Sequence, residues 1–290
     1  MWTKIAVSKK YRKRYTDPPD FTHLSTPLSN AMRIIALNVN GIRSAARKGL
    51  FQWLSTQQAD FVCLQEIRAQ PDQLQDPLFQ PAGYHCFYAP ALKKGYSGVG
   101  LYSRLPPDRV ITDLGCSDFQ AEGRYLEVQI GNLSVVSLYL PSGSSGPERQ
   151  SVKYAVMDRL TPFFDALSQN GRDYIFCGDW NIAHKPIDLR NWRSNQKNSG
   201  FLPRERAWLD HLFEAQAWVD AFRVVNKTGE EYTWWSNRGQ AWANNVGWRI
   251  DYHIVSPSLE PVIRQAAIYK AERFSDHAPL TLDYDYPLPA

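Results

Sequence analysis

An α/β chain in which two packed β-sheets are covered by helices is what this sequence predicts, on three observations. Short β-like runs recur from Arg33 to the end of the chain, few helical stretches interrupt them, and no long internal repeat organises them. The composition agrees: of 290 residues, 43% are hydrophobic and 21% charged, which excludes disorder, collagen and coiled coil as readings of the whole chain. Apolar runs are short, as at Val62 to Leu64, far below the ~18 residues a bilayer span needs, so an integral membrane protein is excluded too.

Taken in order, the strand candidates are Arg33 to Asn38, Asp60 to Gln65, Tyr84 to Ala89, Gly98 to Tyr102, Arg124 to Ile130, Leu133 to Leu140, Asp173 to Cys177, Arg249 to Val255 and Ala278 to Asp283. The helix candidates are Gly49 to Gln58, Pro147 to Ser168 and Pro203 to Ala217. In the last, Pro203 suits a first helical turn, and Trp208, Leu209, Leu212 and Phe213 fall on one stripe.

The first 31 residues have no apolar periodicity and carry Pro18, Pro19 and Pro27, so they read as a flexible extension ahead of one catalytic domain, residues 32–290. They hold six bases and two acids, a net +4 that accounts for the whole formal charge; the other 259 residues balance. A loose tail or upstream start ahead of Met32, a DNA-binding arm, and a transit or nuclear address are the alternatives. Cys63, Cys86, Cys116 and Cys177 are far apart and lack zinc spacing, which fits reduced packing residues in a cytosolic protein.

Several apolar strands end abruptly in oxygen-bearing side chains: IIALN at Asn38, FVCLQE at Glu66, YIFCGDWN at Asp179 and Asn181, and FSDH at Asp276 and His277. A carboxylate at the end of a buried strand is poorly solvated and needs a partner, and a hard divalent cation is a good one. Carboxylate and amide oxygens without thiolates fit Mg2+ or Mn2+ rather than zinc. Any one such residue is more often a strand-end cap, but four coinciding instances reverse that balance. Asp251, a charge within GWRIDYHIV, is a candidate to orient His277 and stabilise its cation. Tyr139 closes an apolar strand before a Gly/Ser-rich loop, which is consistent with a hydroxyl at the same end or with an ordinary core tyrosine.

The strings LNVNGIRSA (37–45), CLQEIRA (63–69), GYSGVGLYS (95–103), LYLPSGS (138–144), GDWNIAH (178–184), DLRNW (188–192), NSGFLPRERAWLD (198–210), YTWW (232–235), VGWRIDY (246–252) and SDHAPL (275–280) resemble the exonuclease III class of AP endonucleases. The resemblance runs from about Met32 to Tyr286, with ten motifs in the family's order, and the GDWNIAH and NSGFLPRERAW strings look more like bacterial members than animal ones. It implies a four-layered α/β sandwich of two packed mixed β-sheets flanked by helices. It also implies Mg2+-dependent cleavage of the phosphodiester 5′ to an abasic site in duplex DNA, with 3′-to-5′ exonuclease and 3′-end-cleaning phosphatase or phosphodiesterase activity at the same site. Position by position, Glu66 matches the principal metal ligand, with Asn38 and Asp276 beside it. Asp179 matches the residue that activates water, Asn181 its transition-state helper, Tyr139 the phosphate-contacting tyrosine, and Asp251 the carboxylate that orients His277. Asn40 matches a position that some relatives fill with Asp. One ion or two is left open, because Asp179, Asn181 and His277 suit a second.

Phosphate contacts from loops should dominate duplex recognition, since an abasic site offers no base edge. Residues 185–206 contain six bases against Asp188 and Glu205, a local +4 with Trp192 and Phe201 interleaved. Within this segment Asn195 and Asn198 match positions near the lesion. Arg43, Arg47, Lys48, Lys93 and Lys94 are further candidates to flank the groove. Trp234, Trp248 and Ile250 match the walls of an apolar slot for an extruded deoxyribose, and Trp234 stands where relatives often place Phe. The partner is therefore expected to be double-stranded DNA with abasic sites or 3′ ends. A monomer in a bacterial cytoplasm, near the nucleoid and away from membranes, completes the expectation. Two other readings compete: a phosphatase or phosphodiesterase for small or lipid phosphates, and a DNA-binding module without catalysis. The WWSN and NSGFLP segments count against the first, and intact Glu66, Asp179, Asp251 and His277 against the second.

Overall fold

A computed structural model describes residues 31–115 and 117–289; the basic extension, apart from Ala31, and Cys116 lie outside the described residues. The strands are β1 (Met32–Asn38), β2 (Phe61–Gln65), β3 (His85–Ala89), β4 (Val99–Ser103), β5 (Arg109–Ile111), β6 (Tyr125–Ile130), β7 (Leu133–Tyr139), β8 (Asp173–Asp179), β9 (Val219–Asp220), β10 (Trp234–Trp235), β11 (Gly247–Trp248), β12 (Asp251–Val255), β13 (Ile263–Ile268) and β14 (Leu280–Tyr284). They form two six-stranded sheets, in the orders β13-β14-β1-β2-β4-β3 and β5-β6-β7-β8-β12-β9, and a two-stranded β10-β11 ribbon.

Each large sheet is mixed in the same way, with one parallel pair, β1 with β2 and β7 with β8, flanked by antiparallel strands. Side-chain alternation explains the layering. Met32, Ile34 and Ala36 of β1, from one sheet, and Leu133 and Val135 of β7, from the other, turn into the shared inter-sheet core. Their neighbours Ile35 and Leu37 turn outward onto the helices Ile42–Arg47 and Leu50–Thr56. Val136 and Leu138 turn outward onto the helices Pro147–Ser168 and Pro203–Asp210. Four layers, helix, sheet, sheet and helix, follow, and strands covered on both faces read as continuous apolar runs. No helix among the described residues is long and apolar enough to cross a membrane.

Two differences from the sequence expectation stand out. The third predicted helix is α-helical only to Asp210 and continues as a π turn, His211–Ala215. Strand β8 runs on to Asp179, because that residue pairs in register with Tyr139 on one side and Asp251 on the other. Pairing that close requires Gly178, where a Cβ would lie 1.9 Å from the Leu138 carbonyl oxygen. Behind the second sheet, Phe164 of the long helix packs its fully buried ring against Phe176, Trp180, Trp208 and Trp218. Phe164→Ala is expected to cost about 3–5 kcal/mol of stability, read as a lower urea midpoint at unchanged slope. A loss under about 1 kcal/mol would show that the ring cluster is not a packed unit.

Candidate active site

Open α/β sheets bind ligands outside the carboxyl ends of their parallel strands, and here two such ends face each other. Strands β1 and β2 deliver Asn38 and the adjacent Glu66; strands β7 and β8 deliver Tyr139 and Asp179. Asp251 opens β12 directly opposite Asp179, and Asp276 and His277 precede β14. Three of these turns hold a non-glycine residue in the left-handed region: Asn40 (φ 43°), Glu66 (φ 50°) and Asn181 (φ 52°). Strain of this kind persists only where surrounding contacts enforce it, and it clusters at functional sites.

Those contacts form a continuous network. The Asn38 amide donates to Glu66 Oε1 at 2.8 Å and to Asp179 Oδ2 at 2.9 Å, so it bridges the two carboxylates. Its own oxygen accepts the Asn40 backbone N–H at 3.0 Å, and the Asn40 amide donates to Asp276 Oδ1 at 2.8 Å. Asp179 also accepts the Asn181 backbone N–H (2.8 Å) and side-chain amide (3.2 Å). His277 places Nδ1 2.9 Å from Asp251 Oδ2, while its Nε2 faces Asp179 Oδ2 at 3.8 Å. The Tyr139 phenol interacts with Glu66, and the Arg124 guanidinium lies 4.4 Å from the centre of the Tyr139 ring.

Burial sets the electrostatics. It pushes the Asp179 carboxyl up to about 7, with Asp251 adding to the rise and His277 opposing it. Burial disfavours the His277 cation, but Asp251, Asp179 and Asp276 outweigh it and hold the imidazolium up to about 10. Burial would likewise raise Glu66 and Asp276. Arg68, Asn38, Tyr139 and His277 hold Glu66 below its usual range, and His277, Asn40 and Trp234 do the same for Asp276.

The donor set fits a hard divalent cation: the carboxylates of Glu66 and Asp276 and the amides of Asn38 and Asn40 converge here, and no thiolate among the described residues does. Asp179, Asp251 and His277 form a second cluster whose ligand atoms lie within 4.8 Å of one another, tied internally by the Asp251–His277 bond.

The family model for endonuclease/exonuclease/phosphatase proteins matches residues 35–277. An exodeoxyribonuclease of Bacillus subtilis is 39% identical over 253 residues, covering 87% of this chain and 98% of that protein. The DNA repair nuclease APEX1 of Danio rerio is 32% identical over 271 residues, covering 92% and 87%. The chain belongs to the endonuclease/exonuclease/phosphatase family. An AP endonuclease from Archaeoglobus fulgidus superposes with a TM-score of 0.80 at 25% identity, covering 88% of this chain and all of that one. A Neisseria 3′ phosphatase bound to a product DNA hairpin superposes at 0.81 with 26% identity, again over 88% of this chain and all of that one. With its exodeoxyribonuclease and AP endonuclease relatives, the chain is a phosphodiester hydrolase of the exonuclease III class.

In this family member the site opens into a groove of about 1390 Å3. Asn195 and Asn198 stand on its rim, joined by a 2.7 Å hydrogen bond, and Trp234, Trp248 and Ile250 form one wall. The two indoles meet edge to face at 6.3 Å, and Trp234 Nε1 donates to Asp276 Oδ2 at 3.1 Å. The basic segment 185–206 needs a correction. Its Lys185 pairs with Asp210, Arg190 with Glu230 and Arg204 with Asp158, and of its six bases Lys197 alone lines the groove. Of the other loop bases, Lys93 lines it, whereas Arg43, Arg47, Lys48 and Lys94 lie outside it. Arg68, Arg124, Arg149 and Arg238 also line it, Arg68 paired with Glu66 and both Arg124 and Arg149 with Glu122. Sequence reasoning passed over Arg68, although an arginine two residues after a strand-end carboxylate was a visible signal; it makes a two-pronged salt bridge to Glu66 Oε2.

Proposed function

We propose that residues 32–290 form a single, monomeric catalytic domain, a Mg2+-dependent DNA-repair nuclease that cuts duplex DNA 5′ to abasic sites. The same site would trim and clean 3′ ends. The observation that supports this most directly is Asp179, buried between Asn181 and cationic His277 and facing a basic groove with an aromatic slot. The Bacillus subtilis relative supports a bacterial cytoplasmic setting beside nucleoid DNA.

Hydrolysis in this geometry divides among the chain's own groups. Asp179 takes the proton of the attacking water, and the Asn181 amide fixes the carboxylate and the water in line with phosphorus. Imidazolium His277, oriented by Asp251, and the Tyr139 hydroxyl face the non-bridging oxygens, where charge accumulates. Water oxygen bonds to phosphorus as the bond to the 3′ oxygen of the upstream nucleotide breaks. A divalent cation, held by Glu66 and Asp276 with Asn38 and Asn40 ordering them, would neutralise the phosphate and leaving-oxygen charge. Asn195, Asn198 and Lys197 would hold the strand beside the lesion, and Trp234, Trp248 and Ile250 would admit a baseless sugar while excluding a full nucleotide.

A duplex carrying one abasic analogue, incubated with Mg2+ or with chelator beside a phosphoinositide control, tests this reading. Incision 5′ to the lesion in Mg2+ alone is expected; release of phosphate from the phosphoinositide without DNA incision would overturn it. The pH profile of kcat/KM should be bell-shaped, rising as Asp179 deprotonates near 7 and falling as His277 loses its proton near 10. A flat profile over that interval would remove both assignments. Trp234→Phe widens the slot and deletes the N–H that bonds Asp276, so the ratio of endonuclease to exonuclease activity should shift. An unchanged ratio would leave Trp234 a wall like any other aromatic residue.

A further inference from the structure

Beneath the catalytic turn lies an ion pair that the mechanism above does not use. Lys153, on the long helix Pro147–Ser168, and Glu205, in the first turn of Pro203–Asp210, are both fully buried and sit 2.6 Å apart. Lys153 Nζ also donates to the backbone carbonyl of Asn181 at 2.7 Å. The other oxygen of Glu205 accepts the backbone N–H groups of Gly200 and Leu202 at 2.7 and 2.9 Å. Gln150 donates to Glu205 Oε1 at 3.1 Å. The Gly200 carbonyl accepts from Ala183 N–H at 2.8 Å, and a Cβ at Gly200 would stand 3.1 Å from the Asn181 carbonyl oxygen. One buried pair therefore joins the strained turn that carries Asn181 to the loop that ends the Asn195–Gly200 rim.

We propose that Lys153 is a positioning residue that acts through Asn181, with Glu205 as the strut that fixes the substrate rim relative to that turn. The proposal rests on the nuclease reading for its kinetic consequences and on geometry alone for its structural ones. An isolated buried ammonium or carboxylate is costly, so hydrophobic packing would be the simpler solution if stability were the only requirement. What packing could not supply is a donor for the Asn181 carbonyl. Asn181 is held at φ 52°, and its N–H and side-chain amide both bond Asp179. Releasing its carbonyl lets the peptide unit relax, and with it the carboxylate proposed to orient water. Displacements of about 1 Å at such a centre cost on the order of 100-fold in rate.

The test uses Lys153→Met and the double variant Lys153→Met/Glu205→Gln in the full chain. The single variant leaves a buried carboxylate unpaired, so its melting temperature should fall along with kcat. In the double variant no charge is left unpaired, and the side-chain amide oxygen introduced by Glu205→Gln still accepts from the Gly200 N–H. Its melting temperature should recover and KM for the abasic duplex should stay near wild type, while kcat remains down by about 100-fold. Amide exchange gives a reading that needs no substrate: in the double variant the Asn181 N–H should exchange faster than in wild type, and that of Gly200 should not. Recovery of kcat in step with the melting temperature, or unchanged Asn181 exchange, would overturn the proposal. Faster Asn181 exchange in a protein whose wild type does not incise abasic DNA would leave the positioning role standing and the nuclease reading refuted.

Discussion

Asp179→Asn is expected to bind an abasic duplex about as well as wild type while kcat falls roughly 10²- to 10⁴-fold, the range for losing a general base. The geometry gives a second reason for a large effect. Three N–H groups converge on this carboxylate, from the Asn38 amide, the Asn181 amide and the Asn181 backbone. Two carboxylate oxygens satisfy them, whereas an asparagine side chain has one acceptor oxygen and an NH2 that would confront another donor. Relief requires the Asn38 or Asn181 amide to turn, and turning Asn38 breaks its 2.8 Å bond to Glu66. Stability supplies an independent check. The Asp179 pKa is raised from 3.8 to about 7, so its protonated form stabilises the fold fully below 3.8, and that contribution is lost as pH rises through 7. Asparagine does not titrate, and the variant should gain stability relative to wild type as pH rises from 3.8 to about 7. Near-normal turnover, or a stability difference flat with pH, would show that Asp179 is not the buried base.

Much of this was legible in the sequence because the site is built from strand ends. Each inner strand is covered on both faces, so its code is a short apolar run, and the first polar residue after the run marks where the sheet stops. Asn38 and Asp179 could be found in that way, with Glu66 and Asn181 one and two residues beyond such strand ends. The pairing of Asp251 with Asp179 could not, since register between strands 72 residues apart is set by the assembled sheet. Strands β10 and β11, two residues each, are too short to show a period, and IRQAAI of β13 has no clean alternation, its side chains being mostly half-buried at a sheet edge. Charge was the least legible quantity. Most of the surplus counted within 185–206 is offset by Asp158, Asp210 and Glu230, while the groove draws its other bases from five other segments. Local charge sums ignore partners that folding brings from elsewhere, and this is where a one-dimensional reading fails most.

His277→Ala should lower kcat by roughly 10²- to 10³-fold, the cost of removing one preorganised charge-stabilising donor, with an unusual dependence on pH. His277 is the positive centre among Asp179, Asp251 and Asp276, which all raise its pKa. Without it Asp179 loses the charge that opposes burial, its pKa climbs above 7, and the rising limb of the rate profile moves to higher pH. The variant should therefore recover part of its deficit in alkaline solution, where Asp179 is ionised again. Stability moves in the same sense. A histidine whose pKa is raised from 6.5 to about 10 contributes its full stabilisation below 6.5, and the contribution is lost as pH rises through 10. The penalty of His277→Ala should accordingly be largest near pH 6 and shrink toward pH 10 in urea titrations. Asp251→Asn separates the two functions of the pair. It keeps the imidazole in place through a hydrogen bond to Nδ1 but removes the carboxylate that most favours the cation, so the alkaline limb should move down from 10. An alkaline limb unmoved in Asp251→Asn would mean that the falling activity reports some group other than His277.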